Sequence, residues 1–229
     1  ISVHTGIKHG KWTYGTNTRI VDDDTPKNTL RRAQQGGWPQ GLLARSVFDA
    51  DYDYDYAVAA FRDATLIRSA YFILGGAGAY QGAVLSRWWD PSFRHAEELT
   101  STGKWWIFQG NTDNFKMLSP FELNIKSITN TEVQLSSVQR TLVGQQKMVA
   151  MGQLAVSPTK VFEVMHAPPI YILDYNVVLF MMSAKSGTYC SVLGPQTKND
   201  DTGIDCRAMQ LNWLFPLPSI RESQAKWFR

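Results

Sequence analysis

The residues able to do chemistry are few and widely spaced. Cys190 and Cys206 are the only cysteines, and His4, His9, His95 and His166 are scattered, with neither HExxH nor CxxH spacing for zinc. Two cysteines exclude a disulfide-rich scaffold. Cys190 and Cys206 are close enough to close one loop in an oxidising compartment, and two separate buried thiols fit the sequence equally well. Glu163 and Asp174 are the carboxylates that a barrel would bring together for acid–base work, but carboxylates on strands ordinarily face water. Met148, Met151, Met165, Met181 and Met182 suit core filling better than metal ligation. The chain has no GxSxG, no GxxxxGK[ST] and no GxGxxG after a strand. These observations predict a non-enzyme without cofactor or metal.

The elements that would position these residues start from the longest uncharged stretch, 69–86, held between Arg68 and Arg87. At the helical rise it would cover roughly 27 Å, just under a hydrocarbon core of about 30 Å. Gly75, Gly78, Ala79 and Gly82 supply small residues for close helix packing. Tyr71, Trp88 and Trp89 suit headgroup level, and Arg68 and Arg87 would snorkel outward. A transmembrane or membrane-embedded helix is therefore expected over 69–86, with a buried soluble helix or helical hairpin as the competing reading.

Before it, residues 1–46 are polar and rich in turn formers, which predicts an extended arm ordered by a partner. FDADYDYDY (48–56) lacks the glycine and glutamate of a calcium loop and reads as a helix start with its carboxylates at the positive end of the dipole. One long helix, 47–90 with its core from about 54 to 86, would stop at Pro91 and give way to a hinge at 91–102. Beyond it, KWWIFQ, PFELNIKSI, TEVQLSSV, KMVAMGQLAV, KVFEVMHA, PIYIL, NVVLFMM and TYCSVL read as about eight short strands. The expected fold is a mostly β domain at 103–208, an antiparallel sandwich or barrel, preceded by the arm and one long helix, with a tail at 209–229.

Two family resemblances follow. The run 47–80, VFDADYDYDYAVAAFRDATLIRSAYFILGGAGAY, resembles the membrane anchor of Rieske iron–sulfur proteins, and the order anchor, hinge, β domain is similar too. The family's C-T-H-L-G-C loop compares with Cys190-Ser191-Val192-Leu193-Gly194-Pro195, and its C-P-C-H-G-S loop with Cys206-Arg207-Ala208-Met209-Gln210. Val192 and Met209 stand at the histidine positions, and Pro195 and Ala208 at the disulfide cysteines. A Rieske centre needs two histidines and two cysteines, so the resemblance implies a degenerate relative in which Cys190 and Cys206 are remnants or a disulfide. Second, Gly103-Lys104-Trp105, Tyr171–Tyr175 and Tyr189–Leu193 resemble lipocalin motifs, although Gly194 stands where that family places an arginine. That resemblance implies a pocket at Trp105, Tyr171 and Tyr175 for a lipid, pigment or quinone.

The net charge of +3, with no basic block or basic–aromatic stripe, argues against nucleic acid, and 44 % apolar residues suit a chain that folds. Ile1 is not an initiator methionine and no signal sequence opens the chain, so processing or truncation is expected. Together these features predict a non-catalytic accessory subunit of a cytochrome bc-type electron-transport complex in an organellar inner membrane, mitochondrial or thylakoid. Its partners would be the other subunits and the bilayer, and a lipocalin-like binder is the alternative.

Overall fold

Buried side chains between Trp12 and Leu85 set the centre of the molecule. The computed structural model describes residues 2–19, 21, 24–92, 94–113, 131–171 and 178–193. Strands β1 (Thr5–Lys8), β2 (Trp12–Thr18), β3 (Ala70–Gly76), β4 (Gly82–Arg87) and β5 (Arg94–Glu98) form one sheet in that order, every pair antiparallel. Between β2 and β3 the chain inserts helices α1 (Pro26–Gln34), α2 (Gln40–Asp49) and α3 (Tyr54–Asp63). Side chains two apart on a strand share a face. Trp12 and Tyr14, Ala70, Phe72 and Leu74, and Ala83 and Leu85 therefore form one apolar surface, closed by Leu43, Ala44 and Val47 of α2 and Ala57, Val58 and Phe61 of α3. Tyr14 stacks on Phe61 with centroids 4.9 Å apart, and Phe61 meets Phe72 at 4.9 Å.

This architecture overturns the expected transmembrane segment. Residues 70–87 fold back as the β3–β4 hairpin, in which Gly75 is paired with Gly82 instead of lying beside it on a helix face. Gly78 and Ala79 lie in the connecting turn, closed by Gly76 N–H donating to Gln81 O at 2.7 Å and Gly78 N–H to Gln81 Oε1 at 2.8 Å. All of β4 and most of β3, Ile73 excepted, are at least partly buried on both faces, so the sequence shows a continuous apolar run instead of strict alternation. Among the described residues no helix is long and apolar enough to cross a membrane.

The expected long helix is instead the ten-residue α3, ending where Ala64 turns extended. Its start matches the Asp-rich reading: Asp53 caps it by accepting the Tyr56 N–H at 3.0 Å, with Asp55 in the first turn. Pro91 follows a strand and stops no helix. The expected arm folds into β1, β2, α1 and most of α2, and buries Trp12 and Tyr14 completely.

The expected all-β domain is also corrected. TEVQLSSV and the first half of KMVAMGQLAV lie within helix α4 (Thr131–Met151), and KVFEVMHA, but for Ala167, within helix α5 (Pro158–His166). KWWIFQ runs without a strand assignment, and PFELNIKSI lies outside the described residues. NVVLFMM and TYCSVL do pair, as β6 (Val178–Ser183) and β7 (Thr188–Leu193) in a separate hairpin. The fold is thus mixed α/β, an antiparallel sheet with helices, in place of a sandwich or barrel behind an anchor.

Candidate functional site

The second face of the sheet positions a polar cluster. Asn17, Tyr71, Ser86 and His95 are register partners across β2, β3, β4 and β5, on the face opposite Phe72 and Leu85. Against this end of the sheet lies the segment 109–113, Gln-Gly-Asn-Thr-Asp, which in turn rests on α4. Gly110 makes that approach possible, since a Cβ there would sit 2.5 Å from Thr141 Oγ1 and 2.8 Å from Ser137 Oγ.

Arg19, just beyond β2, donates through Nε and Nη2 to both oxygens of Asp113, at 2.7 and 2.6 Å. Tyr71 OH donates to the same carboxylate at 2.7 Å. The Arg19 guanidinium lies over the Trp88 ring, 3.0 Å from its centroid, and its Nη1 donates to Arg87 O at 3.4 Å. Its side chain is 1 % exposed and that of Asp113 14 %. A buried ion pair is tolerated when its geometry is bidentate and its other lone pairs are bonded, as here. Burial, then the bonded and charged Asp113, push the Tyr71 hydroxyl well above the ordinary tyrosine range.

Two residues before Asp113, Asn111 is fixed on three sides. Its N–H donates to Ser137 Oγ at 2.7 Å and its Nδ2 to Thr18 O at 2.9 Å, while its Oδ1 accepts from Arg140 Nη2 at 3.1 Å. Asn17 Nδ2 donates to Gln109 O at 3.3 Å. Burial pulls the Arg140 guanidinium below its ordinary value. Ser137 is fully buried, and its hydroxyl meets the Asn111 amide and Thr112 Oγ1, with no histidine in reach of a nucleophile–base pair. The cluster thus gathers oriented hydrogen-bonding and charged side chains at one end of the sheet. Among the described residues no group of His, Cys, Asp and Glu has the arrangement of a metal site.

The residues singled out from sequence lie elsewhere. Gly75, Gly78, Ala79 and Gly82 belong to the β3–β4 hairpin and its turn, so no helix face unites them. Cys190, on β7, is disulfide-bonded; Cys206 lies outside the described residues. Trp105 packs on the Met148, Val164 and Ile170 cluster, whereas Tyr171 belongs to another with Phe162, Leu179 and Cys190. They line no barrel, and Tyr175 lies outside the described residues. Glu163 is exposed on α5 and Asp174 is not described. Met148, Met165 and Met181 fill small cores, and His166 is stacked between Phe162 and Tyr171. Sequence reasoning missed Arg19, Tyr71, Asn111, Asp113, Ser137 and Arg140. Arg19 and Asp113 are 94 positions apart, and no local spacing announces the pair.

Comparison with known proteins finds similar curated sequences and a similar solved structure. No protein-family model matches the chain. It is 24 % identical to acid ceramidase of Bos taurus over 194 residues, which is 82 % of this chain and 45 % of that protein. It is 32 % identical to acid ceramidase of Pan troglodytes over 126 residues, 54 % of this chain and 31 % of that protein. The chain thus spans less than half the length of these curated relatives. Its fold is similar to that of the Caenorhabditis elegans N-acylethanolamine-hydrolyzing acid amidase (NAAA) ortholog, with a TM-score of 0.60 and 22 % identity over 80 % of this chain and 70 % of that one.

These similarities overturn the Rieske-like and lipocalin-like readings and, with them, the expectation of a non-catalytic electron-transport subunit. The expected placement in an organellar inner membrane, among bilayer and complex partners, rested on the segment 69–86. That segment is a hairpin inside the sheet. The relatives are hydrolytic enzymes, against the non-enzyme expectation.

Proposed function

We propose that this chain is part of an amide hydrolase of the acid ceramidase and N-acylethanolamine amidase kind, and that the cluster around Asn111 borders its substrate site. The observation that carries the reading is a coincidence of extent. The sequence match to acid ceramidase covers 82 % of the chain and the structural match to the amidase ortholog covers 80 %. Both proteins are named for cleaving an N-acyl amide. In that reaction water's oxygen bonds to the acyl carbon, the C–N bond breaks, and the departing nitrogen takes a proton, which leaves a carboxylic acid and an amine.

The geometry supplies a fitting part. As charge builds on the carbonyl oxygen, fixed hydrogen-bond donors stabilise it more than mobile ones do. Asn111 spends one Nδ2–H on Thr18 O and has its Oδ1 held by Arg140, so its second Nδ2–H is oriented without commitment among the described residues. Arg140 increases the polarity of that carboxamide. The cluster thus binds and orients the substrate amide, and the residue that attacks is not assigned to it.

The test is release of fatty acid at acidic pH from a ceramide and from an N-acylethanolamine, followed by mass spectrometry. The chain is assayed with whatever sequence naturally flanks it. Turnover of at least one substrate is expected, and Asn111→Ala is expected to lower kcat by about 10²-fold, as loss of a fixed donor does. A folded protein that releases fatty acid from neither substrate sinks the reading.

A further inference from the structure

We propose that Arg19 and Asp113, with Tyr71 as third donor, are positioning residues that hold the segment 109–113, and with it the Asn111 carboxamide, at one height over the end of β2. The inference rests on the amidase reading of that site. The segment carries no strand assignment, and its ties to the sheet include the side-chain bonds of Asn17 to Gln109 O, Asn111 to Thr18 O, and Arg19 and Tyr71 to Asp113. Asp113 is two residues from Asn111, a reach of at most about 7 Å, so its anchor point limits where the carboxamide can sit.

The anchor is itself immobilised. Arg19 is clamped between the Trp88 ring and the Asp113 carboxylate, with Arg87 O accepting from Nη1. Tyr71 is fully buried in the middle strand of the sheet. A bidentate fork fixes direction as well as distance, which a lysine ammonium does not reproduce. Displacement of a donor by about 1 Å is enough to cost up to two orders of magnitude in rate.

The fold carries its own control. Arg32 and Asp24 form an equally buried pair, 1 % and 4 % exposed, bonded at 2.7 Å. Arg32 lies over Trp89 and its Nη1 donates to Ile67 O at 3.4 Å, and Asp24 accepts the Ser69 N–H at 2.8 Å, so these bonds tie the pair to the 67–69 turn and not to 109–113. A purely structural role predicts the same behaviour from both pairs.

Arg19→Lys, Tyr71→Phe and the control Arg32→Lys are compared in three readouts: melting temperature, kcat and KM per folded molecule, and hydrogen exchange of residues 109–113. Arg19→Lys and Tyr71→Phe are expected to lower kcat at least about 10-fold with KM within about 2-fold, and to speed exchange at the Asn111 amide. Arg32→Lys is expected to lower the melting temperature while leaving kcat unchanged. Unchanged kcat in both test variants, or an equal loss in Arg32→Lys, overturns the proposal. Wild-type inactivity on both substrates overturns the amidase reading instead. Exchange then decides the positioning role alone: loosening confined to 109–113 in Arg19→Lys supports it, and loosening spread over β3 and β4 removes it.

Discussion

At the scale of single residues, burial decides more than charge. Tyr14 is fully buried, and its hydroxyl makes no well-formed hydrogen bond, with the Thr16 side chain near enough only to offset part of the burial. A poorly bonded buried hydroxyl costs most of its desolvation, so Tyr14→Phe is expected to be neutral or to stabilise by up to about 1 kcal/mol in urea titration. Burial also raises the hydroxyls of Tyr14, Tyr54 and Tyr71 above the free value near 10. A raised folded value contributes stability that is intact below the unfolded value and is lost as pH climbs above it. Arg87 acts in the opposite sense: buried against Phe61 O and Ala64 O at the end of α3, it is pushed down to about 10. The unfolded chain holds that proton longer, which adds stability as pH rises from about 10. Burial raises the Tyr189 hydroxyl too and lowers Arg140 as it does Arg87; the raised tyrosines outnumber the lowered arginines, so unfolding free energy is expected to fall above about pH 10, and Tyr14→Phe to shallow that fall. Denaturant titrations at neutral and alkaline pH read both effects.

At the scale of elements, ends and close approaches set the fold. Asp53→Ala removes the cap that receives the Tyr56 N–H and is expected to cost about 1 kcal/mol, a few degrees of melting temperature. Gly110→Ala forces a Cβ to 2.5 Å from Thr141 Oγ1 and 3.3 Å from Ser137 O, and is expected to cost about 1–3 kcal/mol, measured by thermal melt. Element type was legible where local signals agree. Asp53 and Asp55 announce α3, and the β-branched and aromatic runs at 178–183 and 188–193 are strands. It was illegible in α4, where from Ser137 onward the buried positions Ser137, Thr141, Gly144 and Met148 fall at helical spacing but include only one large apolar residue. That face packs by smallness, so the usual 3.6-residue hydrophobic signal is missing. The β3–β4 hairpin misled in the opposite way, because burial on both faces erased its alternation.

At the scale of the whole molecule, a five-stranded sheet is sealed on one face by helices and carries the polar cluster at the edge of the other. In the β6–β7 hairpin, Cys190 is disulfide-bonded. Reducing that bridge is expected to cost about 2–4 kcal/mol, seen as a lower urea midpoint with reductant than without. The sequence by itself determined that the chain buries a substantial core, that an Asp-rich stretch begins a helix and that its last described runs are strands. Only the tertiary structure decided that 69–86 is a hairpin, because a short apolar run is equally apolar as a helix in lipid or as a strand between two layers. It alone also assembled Arg19, Tyr71, Asn111 and Asp113. Their bonds join positions dozens of residues apart, and the sheet register and the helix beneath Gly110 bring them together where local chain geometry does not.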